Sequence, residues 1–466
     1  MRLRVRATRF LRAGLSAWVG VLAGLTLVVS CAPPATPTPV PPTLTPTPAP
    51  TSTPATAPTA TPSPGPPTAT PQPLSLILWH DLPVDQEAQL AAEASRLKSP
   101  RGPIQVDLQR YDDEPKLERA LTEGSIEFDL VLGNARSINF MRDRKFVQPV
   151  DAIFSDAFWR ELARPGIQGV TQGSHIWGVP HTLGLQLMLF YNTKLVPAPP
   201  ADSASLTSTA SRLTSPGQLG LGLNALDPLW TIPWLAAYGG WPADDAGRPT
   251  LNTPSMVQTL TFMYNLGYRS KVISPTMEYD AGLAAFKSGQ TAMWIDGEWA
   301  LSALKDAKDV QWGVARLPVL TDTGVEPACL IGGKYLAISA NVKDQKLDAA
   351  RLLVEQLVGA DSAKHWAQSF RVLPASLRVL SSTLIQDDPL LRVSATEMLA
   401  GRGVGLSGGM QAALEGMRGA LGDVMAGRIA PAEAARGMQA RAEALYEAPA
   451  MTATGIVAGT QTPSGP

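Results

Sequence analysis

The sequence predicts an α/β fold with mostly parallel sheets flanked by helices. Apolar strands alternate with helical segments through residues 74–134 in β-α-β-α-β order, which implies a largely parallel sheet covered on both faces. Further strand-like runs recur as far as residue 339, and 340–446 reads as nearly all helical. At 466 residues, with 45% hydrophobic and 17% charged composition, the chain is long enough for two or three domains with real cores. The formal net charge of -1 gives no global field to draw nucleic acid or an anionic membrane, so nucleic acid is not an expected partner.

The N-terminus, MRLRVRATRFLRAGLSAWVGVLAGLTLVVSC, has five arginines in its first twelve residues, then an uncharged apolar run from Ala13 to Ser30. That order reads as an export signal over residues 1–30. The alternative is a retained membrane-spanning helix, since about 18 apolar residues lies near the lower limit for crossing a bilayer. VVSC, ending at Cys31, resembles the bacterial lipobox, which implies that Cys31 is lipidated and becomes the mature N-terminus. Residues 32–73 hold 17 prolines and 12 threonines and have almost nothing to bury, so they read as a disordered tether. A glycosylated stalk is a compatible reading. The tail 447–466 is expected to be disordered as well.

LSLILWH (74–80) reads as a buried strand, and 84–98 places Ala88, Leu90, Ala91, Ala94 and Leu97 at near-helical spacing. IQVDLQRY is a second strand, EPKLERALTEG a helix with Pro115 near its start, and FDLVLGN a third strand. HIWGVP, LQLMLFYN, QTAMWID, VQWGVARLP and GKYLAIS supply the later strands. Segments 255–272, 347–358 and 409–426 read as amphipathic helices, the first capped by Thr253 with Pro254 in its opening turn. No short-period repeat occurs.

Chemistry-bearing motifs are few. GLSGG (405–409) matches G-x-S-x-G in form, but LAGRGV before it is a poor strand, so the glycines read as a loop. IGGKY lacks the spacing and the Ser or Thr of a phosphate loop. The four histidines and two cysteines show no metal-ligand spacing, so neither a metal nor a cofactor is expected. Cys329 sits against an apolar run and reads as a buried structural thiol. YDDE (111–114) precedes a helix, where its carboxylates complement the positive end of the dipole.

Aromatic residues remain. DPLWTIPWLAAYGGW (227–241) and TAMWIDGEW (291–299) are dense in tryptophan. Trp234 and Trp294 read as core. Trp230 and Trp299 each stand at an element end beside a carboxylate, the combination that stacks on a sugar's C–H face and accepts from its hydroxyls.

The ordered blocks LILWHDL, FDLVLGNA, HIWGVPHTLGLQLMLFYN, AAFKSGQTAMWIDGEWAL, WGVARLPV, IGGKYLAISANVKDQKLDAARLLVEQL and FRVLPA resemble the extracellular solute-binding proteins of bacterial ABC importers, in the branch with the maltose- and multiple-sugar-binding lipoproteins. The resemblance covers nearly all of 74–446. It implies a two-lobe periplasmic-binding-protein-like fold (type II) with a hinged cleft. Lobe 1 would be 74–181 and 333–375, lobe 2 would be 182–332 and 376–446, and VPHTLG and IGGKY would be the crossings. Carried over by position, the ligand-binding residues would be His80, Asp81, Asn134, Arg136, Asp227, Trp230, Glu298, Trp299, Gly332, Gly333 and Tyr335. Trp299 matches a tryptophan that stacks on sugar in the maltose branch.

Three blocks depart from that branch. GVGLSGGMQAALE and VLGNAR lack the aromatic found there, and the Ser/Thr-rich PAPPADSASLTSTASRLTSPG (197–217) reads as a reduced element for which disorder stays open. The resemblance implies a monomeric receptor, lipid-anchored to the outer face of the cell membrane. It would bind a mono- or oligosaccharide or similar polar solute and deliver it to ABC permease subunits without chemical change. Two alternatives stay open: a secreted glycoside hydrolase using Asp81 and Glu298, and a sensor or scaffold that kept the fold.

Overall fold

The computed structural model describes residues 74–99, 102–405 and 407–447. The expected export signal, Cys31, the Pro/Thr segment and the tail from 448 lie outside the described residues. Within them, two main sheets flanked by helices make up the α/β architecture, with a small two-stranded ribbon of Thr171–Gln172 and His175–Ile176 beside them.

The larger sheet has eight strands. Its parallel centre is the strand Leu74–His80, paired with Gly102–Arg110 on one side and Leu130–Gly133 on the other. Leu76, Leu78, Leu130 and Leu132 are fully buried here, each contributing on the order of 1.5–3 kcal/mol. Beyond Leu130–Gly133 the sheet continues with Leu330–Ile338 and then Val179–Gly184, both pairings antiparallel. The sheet is thus mixed rather than uniformly parallel.

The smaller sheet has four strands. Leu187–Asn192 runs antiparallel to Thr291–Gly297 and to Trp312–Ala315, and Leu219–Gly222 pairs in parallel with Thr291–Gly297. Every residue of Thr291–Gly297 is buried, because this strand is covered on both faces. Trp294 and Trp234 are core residues, as their sequence context predicted.

Only Leu185 and Gln186 separate Val179–Gly184 in the larger sheet from Leu187–Asn192 in the smaller one. The chain returns through Cys329 into Leu330–Ile338, and the Leu187 N–H donates to the Cys329 thiol at 3.3 Å. Two links therefore run side by side between the sheets.

The helices follow their predicted signals closely. In Pro254–Tyr268 the Thr253 hydroxyl accepts from the Met256 N–H at 3.2 Å, with Pro254 in the first turn. The predicted helices toward the C-terminus are Asp344–Val358 and Gly408–Met425. The Ser/Thr-rich region is not irregular: it holds the helix Ser203–Leu213, opened by a capping box between Asp202 and Ser205. This helix buries Leu206 and Ala210, and Thr207 satisfies itself on the Ser203 carbonyl one turn back.

Candidate functional site

Two walls bear the chemistry that the sequence singled out. The first lies at the carboxyl ends of the parallel strands, where open α/β sheets place their ligands. Asp81, just past Leu74–His80, pairs with Lys334 Nζ at 2.5 Å. Asn134 caps the helix Ala135–Asp143, its side-chain oxygen accepting from the Ser137 N–H at 3.1 Å. The Asn134 amide and the Ser137 hydroxyl both donate to Glu114, and the Arg136 guanidinium lies 3.8 Å from the same carboxylate. Asp81, Asn134 and Arg136 are thus brought to one end of the sheet, together with Glu114 and Lys334, which sequence reasoning did not select. YDDE held the missing signal: it follows a strand directly, so its last member reaches the strand end.

Several of the residues expected at the ligand are enclosed here. His80 is fully buried; its Nδ1 accepts from the Leu82 N–H at 3.3 Å, and burial holds its pKa below the ordinary histidine value. Tyr335 is also fully buried, with its hydroxyl packed against Gly169, because an inward-facing position of a central strand takes a large side chain as core. Gly332 and Gly333 permit close approach within the ladder: a side chain on Gly332 would meet Leu185, and one on Gly333 would strike the Thr182 carbonyl.

The second wall is built on the end of Thr291–Gly297. The Trp299 ring lies over Gly297 so closely that a Cβ there would fall 2.1 Å from a ring carbon. Trp299 Nε1 donates to the Tyr279 hydroxyl at 2.8 Å, which donates to Asp296 Oδ2 at 3.2 Å. The same carboxyl accepts from Trp294 Nε1 at 2.7 Å and from the Gly297 N–H at 2.8 Å. Burial pushes the Asp296 pKa up to about 7, against these donors, which favour the charged form. Trp299 keeps partial exposure at this corner.

Trp230 is enclosed as well. It is 4% exposed, donates from Nε1 to the Ile295 carbonyl at 2.7 Å, and meets Trp299 in an edge-to-face contact at 6.0 Å between ring centroids. Its helix, Pro228–Ala237, is enclosed on nearly all sides. Asp227 caps that helix through the Leu229 N–H at 2.9 Å and also lines a cavity of about 230 Å³ with Asn224, Leu226, Glu278, Tyr279 and Arg418. A larger concavity of about 650 Å³ lies between the helix Val84–Ala94 and the start of Gly102–Arg110. It is mainly aliphatic and holds none of the candidate groups.

Glu298 faces elsewhere. Its Oε2 accepts the Leu185 N–H at 2.9 Å and its carboxyl fills the space that a side chain at Gly184 would need. The residue keeps some exposed surface, but its carboxyl end is enclosed, and burial raises its pKa to about 7. Asp81 and Glu298 are therefore each committed, one to Lys334 and one to a backbone amide. Among the described residues no cluster of His, Cys, Asp and Glu could hold a metal ion, and no helix is long and apolar enough to cross a membrane.

Comparison with known proteins places this arrangement. The maltotriose-binding protein of Pyrococcus abyssi is 24% identical over 323 residues, 68% of this chain and 70% of that one. A maltooligosaccharide ABC transporter solute-binding lipoprotein of Streptococcus pneumoniae is 37% identical over 105 residues, 22% of this chain and 24% of that one. Among solved structures, the maltose/maltodextrin-binding domain MalE from Bdellovibrio bacteriovorus bound to maltotriose superposes with a TM-score of 0.63 at 25% identity, covering 79% of this chain and 99% of that one. Such neighbours support the two-lobe fold. Residues 100–393, more than half of the sequence, match the family described as bacterial extracellular solute-binding protein, and the chain belongs to that family.

Proposed function

We propose that this chain is the capture subunit of a carbohydrate importer, holding a maltooligosaccharide-like ligand between its two walls and delivering it to ABC permease subunits. The observation that carries this reading is the Trp299 corner. A ring fixed by Tyr279 and met edge-to-face by Trp230 offers an apolar face, and Asp227, Glu278 and Asn224 stand close by as hydrogen-bonding partners for hydroxyls. The relatives named above bind maltotriose or maltooligosaccharides.

The charge arrangement favours an uncharged ligand. Lys334 faces Asp81, Arg136 faces Glu114, and Arg418 faces Asp227 and Glu415, so each cation of the two walls is already matched by a carboxylate. An anionic group entering here would compete with those carboxylates.

In this reading residues 74–181 with 333–375 form one lobe, and 182–332 with 376–446 the other. Ligand touching both lobes stabilises the closed arrangement, and the permease reads that closure. Cys31 carries the lipid that anchors the exported chain to the outer face of the cell membrane. The ligand is released unchanged.

The test is a thermal-shift and tryptophan-fluorescence titration of the purified full-length chain with maltotriose, maltotetraose and glycerol 3-phosphate. A neutral oligosaccharide should raise stability by about 2.7 kcal/mol at a hundredfold excess over its Kd. A response confined to the phosphate, or none to any sugar, would refute the reading. Release of glucose from the oligosaccharides would point to a hydrolase.

A further inference from the structure

Glu298 and Trp299 are consecutive, yet they serve different parts of the molecule. Trp299 turns into the aromatic corner, whereas Glu298 reaches the two-residue link between the sheets and accepts the Leu185 N–H at 2.9 Å. Leu185 has a φ of 73°, a left-handed conformation that a leucine seldom adopts and that surrounding contacts must hold in place.

Those contacts are all visible. Gly184 leaves room for the Glu298 carboxyl, which would lie 2.3 Å from a Cβ at that position. The Leu185 side chain packs into the space left by Gly332, directly across the ladder from Gly184. The next residue, Gln186, is fully buried and donates from Nε2 to Ser394 Oγ at 2.8 Å. The link is thus gripped from the larger sheet, from the smaller sheet and from the helix Pro389–Ala400. The Glu298 carboxyl is the grip that the ligand-facing strand supplies.

We propose that Glu298 is a positioning residue for ligand capture: by holding the Leu185 amide it fixes the link in its left-handed turn, and it couples the sheet angle to the strand end that carries Trp299. This rests on the reading of Trp299 as the ligand face. It assigns Glu298 to the hinge instead of to the ligand. A shift of the strand end under a bound ring moves the acceptor of the Leu185 N–H, so occupancy at the corner reaches the link through one residue.

The experiment compares Glu298→Ala, Glu298→Asp, Glu298→Gln and Trp299→Ala in the full-length chain. It reads amide hydrogen exchange at residues 184–187 and maltotriose affinity. Glu298→Ala removes the acceptor and should speed exchange of the Leu185 amide at least tenfold while weakening maltotriose several-fold. Glu298→Gln keeps an oxygen at the same place and should restore both. Glu298→Asp, one methylene shorter, should resemble Glu298→Ala, which preserves the test if the alanine variant does not fold. Trp299→Ala should lose affinity with unchanged exchange at Leu185.

Unchanged exchange at Leu185 in Glu298→Ala or Glu298→Asp overturns the proposal. So does a loss of affinity in Glu298→Gln with exchange unaltered, which would make Glu298 a ligand group. If the unmodified chain ignores maltotriose, the functional reading fails by itself, and the exchange measurements still decide the role of Glu298.

Discussion

Gly297→Ala offers a way to move the Trp299 ring without deleting it. A Cβ at 297 would stand 2.1, 2.2 and 2.4 Å from three ring carbons, and ordinary contact begins at 3.4 Å, so the ring must retreat by about 1.3 Å. That retreat stretches the 2.8 Å bond from Trp299 Nε1 to Tyr279 beyond hydrogen-bonding distance, a loss of about 1 kcal/mol. Overpacking adds about 1–3 kcal/mol. Chemical denaturation should therefore show a loss of roughly 2–4 kcal/mol, and maltotriose affinity should fall at least about tenfold, equivalent to about 1.4 kcal/mol. The double variant Gly297→Ala, Trp299→Ala tests the cause, because without the indole the new methyl group has space. Its affinity and stability should match Trp299→Ala alone to within about 0.5 kcal/mol. Additive losses would mean that the ring does not occupy the space above Gly297.

Three further outcomes follow from the same groups. Tyr279→Phe breaks the connection from Trp299 to Asp296 and should weaken maltotriose several-fold, with a stability cost of about 1 kcal/mol, measurable by fluorescence titration and denaturation. Burial raises the Asp296, Glu298 and Glu397 carboxyls to about 7, so the folded chain keeps protons that the unfolded chain has released. Their contribution to stability should be fully present below about pH 4 and be lost as pH rises through about 7, by on the order of 3–4 kcal/mol per carboxyl at most and by less where Arg316 faces Glu397. Denaturation curves rising in stability over that interval would contradict the burial. Cys329 is fully buried with its thiol pKa raised by burial, so peptide mapping should find it unmodified by alkylating reagents until the chain unfolds.

Much of the fold was legible because periodicity and capping are local. The strand Leu74–His80 and the helix Pro254–Tyr268 read directly from apolar runs and from the Thr253-Pro254 start. The Trp299 turn was equally plain, since Gly297 breaks a buried strand beside an indole. What local pattern cannot give is the direction of a side chain at a strand end. Glu298 reads as a ligand group in the sequence, whereas its carboxyl accepts from an amide 113 residues away. Trp230 looked exposed because Asp227 precedes it, yet a helix buried on nearly every side carries no amphipathic signal. Helix Ser203–Leu213 was missed for the opposite reason: Ser and Thr suggest a loop, and the Asp202 cap and back-bonded hydroxyls offset their low propensity.

The larger sheet gathers strands from Leu74–His80, Leu330–Ile338 and Leu373–Pro374, so its central ladder needs segments separated by some two hundred residues and more. Nascent chain that has only reached the first three strands has an open edge where Leu330–Ile338 belongs, and closing so long a loop is slow. The larger sheet therefore cannot be completed before the segment Leu330–Ile338 has been made. A chain wired in this way leaves the middle of its larger sheet unfilled until late in its synthesis.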